Sequence, residues 1–366
     1  MDMAQTGTTR RLWINSIPHE MLAYIFKWSS CDSSSASDSH TPAIPEILSQ
    51  VCFLWRELAH STPALWTELT LNAASTRDSN GKEMLTQWLS RSRRVDIVLR
   101  VRKGTDVMET ICAHSHLWRR CVISLPWFTL MNFFAMGPLR TPLLEELVVE
   151  IQPDSLAGAY PSHLLVNAGR TVLEDCNHLK SVRLAILPSF PLESLHSFFP
   201  WHNLTEVTFQ RPGVHPALIK HVFTHCKSLV RLKIWTAYWR ILDFSMHYAD
   251  NYCLEHLESF ELEADVRPLV HMLRSIRLPA LKSLSLTGVA NDDEEKYPVH
   301  PPLAKALMDL QEHSQFDLTT LKLSGLLDFS KSNSLLPDDV LRFVATTPGV
   351  TNLVLKCRLG GCVWPF

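Results

Sequence analysis

One short pattern recurs through most of this chain and restricts its fold more than any other feature. It is an apolar residue, two variable residues, an apolar residue, one variable residue and a last apolar residue. The pattern occupies Leu144/Leu147/Val149, Leu179/Val182/Leu184, Leu204/Val207/Phe209 and Leu229/Leu232/Ile234. It returns at Leu257/Phe260/Leu262, Leu281/Leu284/Leu286, Leu318/Leu321/Leu323 and Val350/Leu353/Leu355. A degenerate copy, Trp118/Cys121/Ile123, precedes them, and successive copies start 24 to 37 residues apart. One match says little in a leucine-containing protein. Nine in series, alternating with helical stretches, mark a repeat architecture. Between most copies lies a helical stretch, such as Pro216 to Cys226, Arg267 to Ile276 or Pro337 to Thr346.

The physics of such a unit is direct. Its last two apolar positions alternate along a short strand and point to one face. The intervening helix covers that face, and neighbouring copies bury each other. With parallel strands about 4.8 Å apart, eight intervals span roughly 38 Å. The expected class is α/β, with an irregular leucine-rich-repeat-like (βα) solenoid over residues 117–366. An ordinary α/β domain with leucine-rich strands is the alternative, because the spacing is irregular. Side chains between the leucines face outward. In order they are Ser181 and Arg183, Glu206 and Thr208, Arg231 and Lys233, then Ser259 and Glu261. Trp235 follows on the same face, with Tyr238 and Trp239 beyond it. Arg and Trp are enriched at binding hot spots. Arg183, Arg231, Lys233 and Trp235 are therefore the candidate substrate-binding residues. The competing reading pairs Lys233 with Glu261 and packs Trp235 on the following helix.

Residues 1–11 read as a loose tail and 12–71 as a small all-α module. Within it Ile17 to Trp28 is helical, with Pro18 in the first turn. Pro18, Leu22, Ile25 and Phe26 follow one-face spacing. Val51, Leu54, Trp55 and Leu58 form a second stripe at i, i+3, i+4 and i+7, ended by Ser61-Thr62-Pro63. A Ser-rich insertion, 29–42, reads as a loop. Residues 72–116 read as a linker and the start of the solenoid.

Several of these segments resemble one family. Ile14-Asn15-Ser16-Ile17-Pro18-His19-Glu20-Met21-Leu22-Ala23-Tyr24-Ile25-Phe26 resembles the first helix of an F-box, and Val51-Cys52-Phe53-Leu54-Trp55-Arg56-Glu57-Leu58-Ala59 its later helix. Ser61-Thr62-Pro63-Ala64-Leu65-Trp66-Thr67-Glu68-Leu69 resembles the tail of fungal F-box-like proteins. Trp88-Leu89-Ser90-Arg91-Ser92 with Val95 to Val101 resembles their linker strand. The resemblance covers about 60 residues well and the repeats loosely; its departure is the long 29–42 insertion, which costs little as a loop. It implies docking on the Skp adaptor of an SCF (Skp-cullin-F-box) ubiquitin ligase through Ile17, Pro18, Leu22, Ile25, Phe26, Val51 and Trp55. It also implies capture of a protein substrate by the repeats. The same residues close a small helical core, and Trp55 serves either role. The alternative function is a leucine-rich-repeat interaction scaffold with no ligase role.

Composition narrows the remaining classes. The chain carries 35 basic and 37 acidic residues, a net charge of -2, without the basic excess of nucleic-acid or membrane-surface binders. No apolar run reaches the roughly 18 residues that cross a bilayer. Met1 to Arg11 lacks the apolar stretch of a secretory signal. The expected compartment is cytoplasmic or nuclear. Nine scattered cysteines with no Cys-x-x-Cys pair fit a reducing environment. There is no Gly-rich phosphate loop and no Gly-x-Ser-x-Gly elbow. His221 and His225 are one turn apart, but Val222 stands where a zinc protease needs glutamate. His114 with His116, Cys357 with Cys362, and Asp292-Asp293-Glu294-Glu295 carry no stronger signal. The basic cluster around Arg91, Arg93, Arg94, Arg100, Arg102 and Lys103 reads as a wet face. The expectation is a non-enzyme with no cofactor and no metal.

Overall fold

The computed structural model describes residues 17–31, 43–72, 81–100, 105–126, 129–130, 132–133, 136–152, 173–185, 200–210, 216–235, 251–289, 302–326 and 335–356. The chain divides into two compact units, Met1–Leu117 and Trp118–Phe366.

The first unit opens with three helices, α1 (His19–Cys31), α2 (Ile44–Val51) and α3 (Phe53–Ser61). Pro18 starts α1: its carbonyl accepts the Met21 and Leu22 N–H groups at 3.0 Å each. The stripe Val51/Leu54/Trp55/Leu58 does not lie on one helix. Cys52 adopts extended backbone (φ -159, ψ 173), closing α2 and opening α3. Val51 therefore ends α2 and is exposed, while Trp55 and Leu58 turn inward on α3. The break is held by Arg56, whose Nε–H donates to the Ser49 carbonyl at 2.9 Å. Residues 68–113 add β1 (Glu68–Asn72), α4 (Gly81–Arg91), β2 (Val95–Arg100) and α5 (Thr105–Ala113). β1 and β2 pair in parallel, setting Leu69 beside Ile97 and Leu71 beside Leu99.

The second unit is built on a parallel ladder. Its strands are β3 (Trp118–Pro126), β5 (Glu146–Gln152), β7 (Ser181–Ala185), β8 (Glu206–Phe209), β9 (Arg231–Trp235), β11 (Ser259–Ala264), β13 (Ser283–Gly288), β14 (Thr320–Ser324) and β15 (Asn352–Lys356). They lie side by side in sequence order. Short pairs β4 (Leu139–Arg140) with β6 (Leu173–Glu174), and β10 (Tyr252–Cys253) with β12 (Ile276–Arg277), form separate two-stranded ladders.

Each recurring unit contributes one ladder strand, and the register explains why. The row Cys121, Leu147, Val182, Val207, Leu232, Phe260, Leu284, Leu321, Leu353 runs unbroken across the sheet. A second row from Ile123 to Leu355 runs beside it. In every copy after the degenerate first one, the first residue of the unit sits just ahead of the strand. At Leu144, Leu179, Leu204, Leu257 and Leu281 its N–H closes a tight turn onto the carbonyl three residues back. Helices α6 (Pro216–His225), α7 (Val266–Ser275), α8 (Leu303–Ser314) and α9 (Pro337–Thr346) lie between successive strands. Each buries an apolar face, such as Leu269, Val270, Met272 and Leu273 on α7. The three helices named from the sequence match α6, α7 and α9 to within a residue. The protein is thus α/β with a large parallel sheet.

Backbone crowding limits one site at the strand ends. A Cβ on Gly288 would meet the Gly325 carbonyl oxygen at 2.8 Å and Leu326 Cδ2 at 2.6 Å. Gly325 itself sits at φ +65, a conformation that L side chains resist.

Candidate functional site

Two surfaces stand out, one in each unit. The first is on α1. Leu22 and Phe26, four residues apart, are each 1% exposed. Phe26 packs on Trp55 with ring centroids 4.7 Å apart and planes at 56°. Trp55 is half-buried, and its buried indole N–H has no hydrogen-bond partner among the described residues. The opposite side of α1 presents Met21, Tyr24, Ile25 and Trp28, spaced i, i+3, i+4 and i+7. The Tyr24 and Trp28 rings lie 6.1 Å apart along it. Ile47 and Val51 on α2 and Phe53 at the start of α3 are also exposed; Phe53 is 75% exposed and Trp28 63%.

The structure therefore separates the seven residues drawn from the F-box resemblance. Ile25 and Val51 are exposed apolar side chains, Pro18 is exposed and Ile17 half-exposed. Leu22 and Phe26 are core, and Trp55 stands between the two groups. Sequence reasoning missed Met21, Tyr24, Trp28, Ile47 and Phe53. A signal for the first three was available: apolar residues crowd both sides of the Met21–Trp28 helix, which is more than one buried stripe needs.

A tryptophan cluster stiffens the unit behind these helices. Trp66 donates its indole N–H to the Ala59 carbonyl at the end of α3 (2.8 Å). Trp88 on α4 meets Trp66 edge-on, 4.8 Å between centroids, and donates to the Trp66 carbonyl (3.2 Å). Ser92 Oγ donates to the same carbonyl at 2.6 Å. The Arg91 guanidinium lies 4.8 Å over the Trp66 ring. Burial, then the Arg91 charge, holds the nearby His60 below its ordinary pKa.

The second surface is the outward face of the parallel ladder. Arg231 ion-pairs with Glu206 on the adjacent strand. Lys233 pairs with Glu261 at 2.9 Å. Arg183 reaches Glu146 at 3.8 Å, and Glu146 is also met by Arg120 at 3.1 Å. All three cations named from the sequence are thus engaged across strands. Trp235 is half-buried, in register with Glu263. Tyr238 and Trp239 lie outside the described residues.

Burial pushes the Cys112 and Cys226 thiols up to about 12, with Glu109 adding to the effect at Cys112, so neither is a thiolate near neutral pH. The His221 and His225 rings stack at 4.0 Å, a face-to-face arrangement rather than a convergence of ring nitrogens on one point. His114 and His116 stack at 6.2 Å. Among the described residues no group of three or more His, Cys, Asp or Glu is placed to hold a metal ion. Among them, too, no helix is long and apolar enough to cross a membrane. Cys357, Cys362, Arg102, Lys103, Asp292 to Glu295 and residues 32–42 of the Ser-rich insertion lie outside the described residues. The chain matches no protein-family model and no curated protein.

Proposed function

We propose that this chain is the substrate-recognition subunit of an SCF ubiquitin ligase. In this reading the N-terminal helices are an F-box that docks a Skp adaptor, and the ladder is a leucine-rich-repeat solenoid that captures a protein substrate. Such a receptor works in the cytosol or nucleus and performs no chemistry itself.

The observation that carries the proposal is the apolar face of α1–α3. Of the eleven large apolar side chains exposed among the described residues, seven fall between Met21 and Phe53. Isolated exposed apolar residues are ordinary, but a concentration of them marks a protein-interaction site. Four lie on one helical stripe, which is how a helix presents anchors to a partner's groove. The F-box resemblance falls on this segment. The parallel ladder, one strand per copy of the leucine-containing unit, supports the repeat half of the reading.

Co-expression with a Skp adaptor tests it. The adaptor is expected to co-purify stoichiometrically with the intact chain and to be lost from an Ile25→Asp, Trp28→Asp variant that still folds. An intact, folded chain that never retains the adaptor is an interaction scaffold, and the ligase reading fails.

A further inference from the structure

We infer that the outward face of β13–β15 is the surface that takes substrate, and that its ligand is a short, extended, acidic segment of a protein. This rests on the receptor reading and adds the substrate's chemistry to it.

The inference starts from how charge is distributed along the ladder. From β3 to β11 the outward cations are neutralised by glutamates on neighbouring strands, as Arg120, Arg183, Arg231 and Lys233 show. Beyond β11 this stops. The outward positions of β13, β14 and β15 include Lys322 and Lys356 but no Asp or Glu. Both lysines are exposed, and neither forms an ion pair among the described residues.

The register gives their surroundings. Lys322 lies opposite Val354, and Ser324 lies opposite Lys356. The two lysines are therefore diagonal neighbours on one face, roughly 8 Å apart at the backbone. The nearest outward acid in Lys322's row is Glu261, two strands away through Ser285. That is about 10 Å, near the screening length in physiological salt, and Glu261 already holds Lys233. Around the lysines stand Ser285, Thr287, Thr320 and Ser324. These side chains are short, so the face is low, and their hydroxyls donate to carboxylate oxygens. The result is a flat strip with two positive charges that no acid among the described residues neutralises, and several donors.

An extended peptide bearing carboxylates at alternate residues fits such a strip, because its own side chains repeat along one face. A nucleic acid fits less well. It carries charge at every phosphate, and a long polyanion over this sheet would meet Glu261 and Glu263 on β11. Phosphate-dense ligands are therefore repelled beyond the strip, while a segment with a few carboxylates is not.

The test uses the full chain and a short fluorescent peptide with glutamate at alternate positions. Fluorescence anisotropy should show binding that weakens as salt rises. A Lys322→Ser, Lys356→Ser variant should bind about tenfold or more weakly. Lys233→Ser, which removes a cation already paired, should change it less than about twofold. Circular dichroism melts of all variants should superimpose, since each change is at an outward position. No binding of the acidic peptide by the intact chain, equal binding by the double variant, or tighter binding of a single-stranded oligonucleotide would each overturn the inference. Adaptor retention is measured on the same samples. Peptide binding without adaptor retention sinks only the ligase reading, and adaptor retention without peptide binding sinks only this one.

Discussion

Phe26 and Trp28 sit two residues apart on α1 and should answer truncation in opposite ways. Phe26 is 1% exposed, with its ring 4.7 Å from Trp55. Phe26→Ala empties a packed site and should cost about 3–5 kcal/mol. Domains carry roughly 0.05–0.15 kcal/mol of stability per residue, so a module of about sixty residues holds about 3–9 kcal/mol. The substitution therefore consumes much or all of the module's stability. Trp28 is 63% exposed. Its removal should alter stability by less than about 0.5 kcal/mol, a melting shift of no more than about 4 °C. A fully covered tryptophan buries up to about 250 Å². The exposed fraction of Trp28 therefore offers about 160 Å², worth up to about 4 kcal/mol on docking at about 25 cal/mol per Å². Hot-spot truncations of about 2–4 kcal/mol weaken binding roughly thirtyfold to a thousandfold. Far-UV circular dichroism melts and calorimetric titration with a Skp adaptor measure the two effects separately. If Trp28→Ala melts many degrees lower, or binds the adaptor as well as the parent chain, the assignment of faces on α1 is wrong.

Three further outcomes follow from packing and protonation. Leu286 is fully buried between Leu262 and Leu323 in the ladder; Leu286→Ala should lower stability by about 2–5 kcal/mol, and an unchanged urea midpoint would refute the register. Gly288→Ala places a methyl group 2.8 Å from the Gly325 carbonyl oxygen and should cost about 1–3 kcal/mol, seen as a lower melting temperature; an unaltered melt would show that the strand ends can separate freely. Burial first, then Arg274 and Arg267, holds the His271 pKa below its ordinary value, so the unfolded chain protonates there before the folded one as pH falls. Its contribution to stability is whole above about pH 6.5, the ordinary histidine value, and is lost as pH falls through that value toward the folded pKa. His271→Gln should therefore flatten the melting-temperature profile on the acid side of that value; an identical slope would show that His271 is not the group responsible.

The ladder was legible in the sequence because its signal is local. Two apolar positions with one residue between them, as in Leu284-Ser285-Leu286, describe a half-buried strand without reference to any neighbour. Helices beginning at Pro216 and Pro337 were equally visible, since proline suits a first turn. α8, in the longest interval between copies, carries Leu303, Ala306, Leu307 and Leu310 at the same helical spacing. The faces of α1 were not legible. Six large apolar residues from Met21 to Trp28 say that both sides are apolar, and only packing against Trp55 decides which side is core. The break at Cys52 carries no Gly or Pro to announce it, so the spacing alone runs Val51 into one stripe with Trp55 although Val51 ends α2. The ion pairs of Arg183 and Arg231 depend on parallel register, which one sequence does not state. The Lys233–Glu261 pair was foreseen only as the alternative to a binding role, and it is the arrangement the structure contains.

Hydroxyl-radical footprinting, alone and with a Skp adaptor, tests the central claim most directly. Methionine and aromatic side chains are the ones it modifies most readily, and four of the seven exposed residues of the proposed face are of these kinds. Met21, Tyr24, Trp28 and Phe53 should oxidise readily in the free chain and be strongly protected in the complex. Met136, exposed in the second unit, should stay unchanged and serve as the internal reference. A complex in which Met21, Tyr24 and Trp28 oxidise as fast as in the free chain would contradict the account, because the adaptor would then be bound somewhere other than the exposed face of α1.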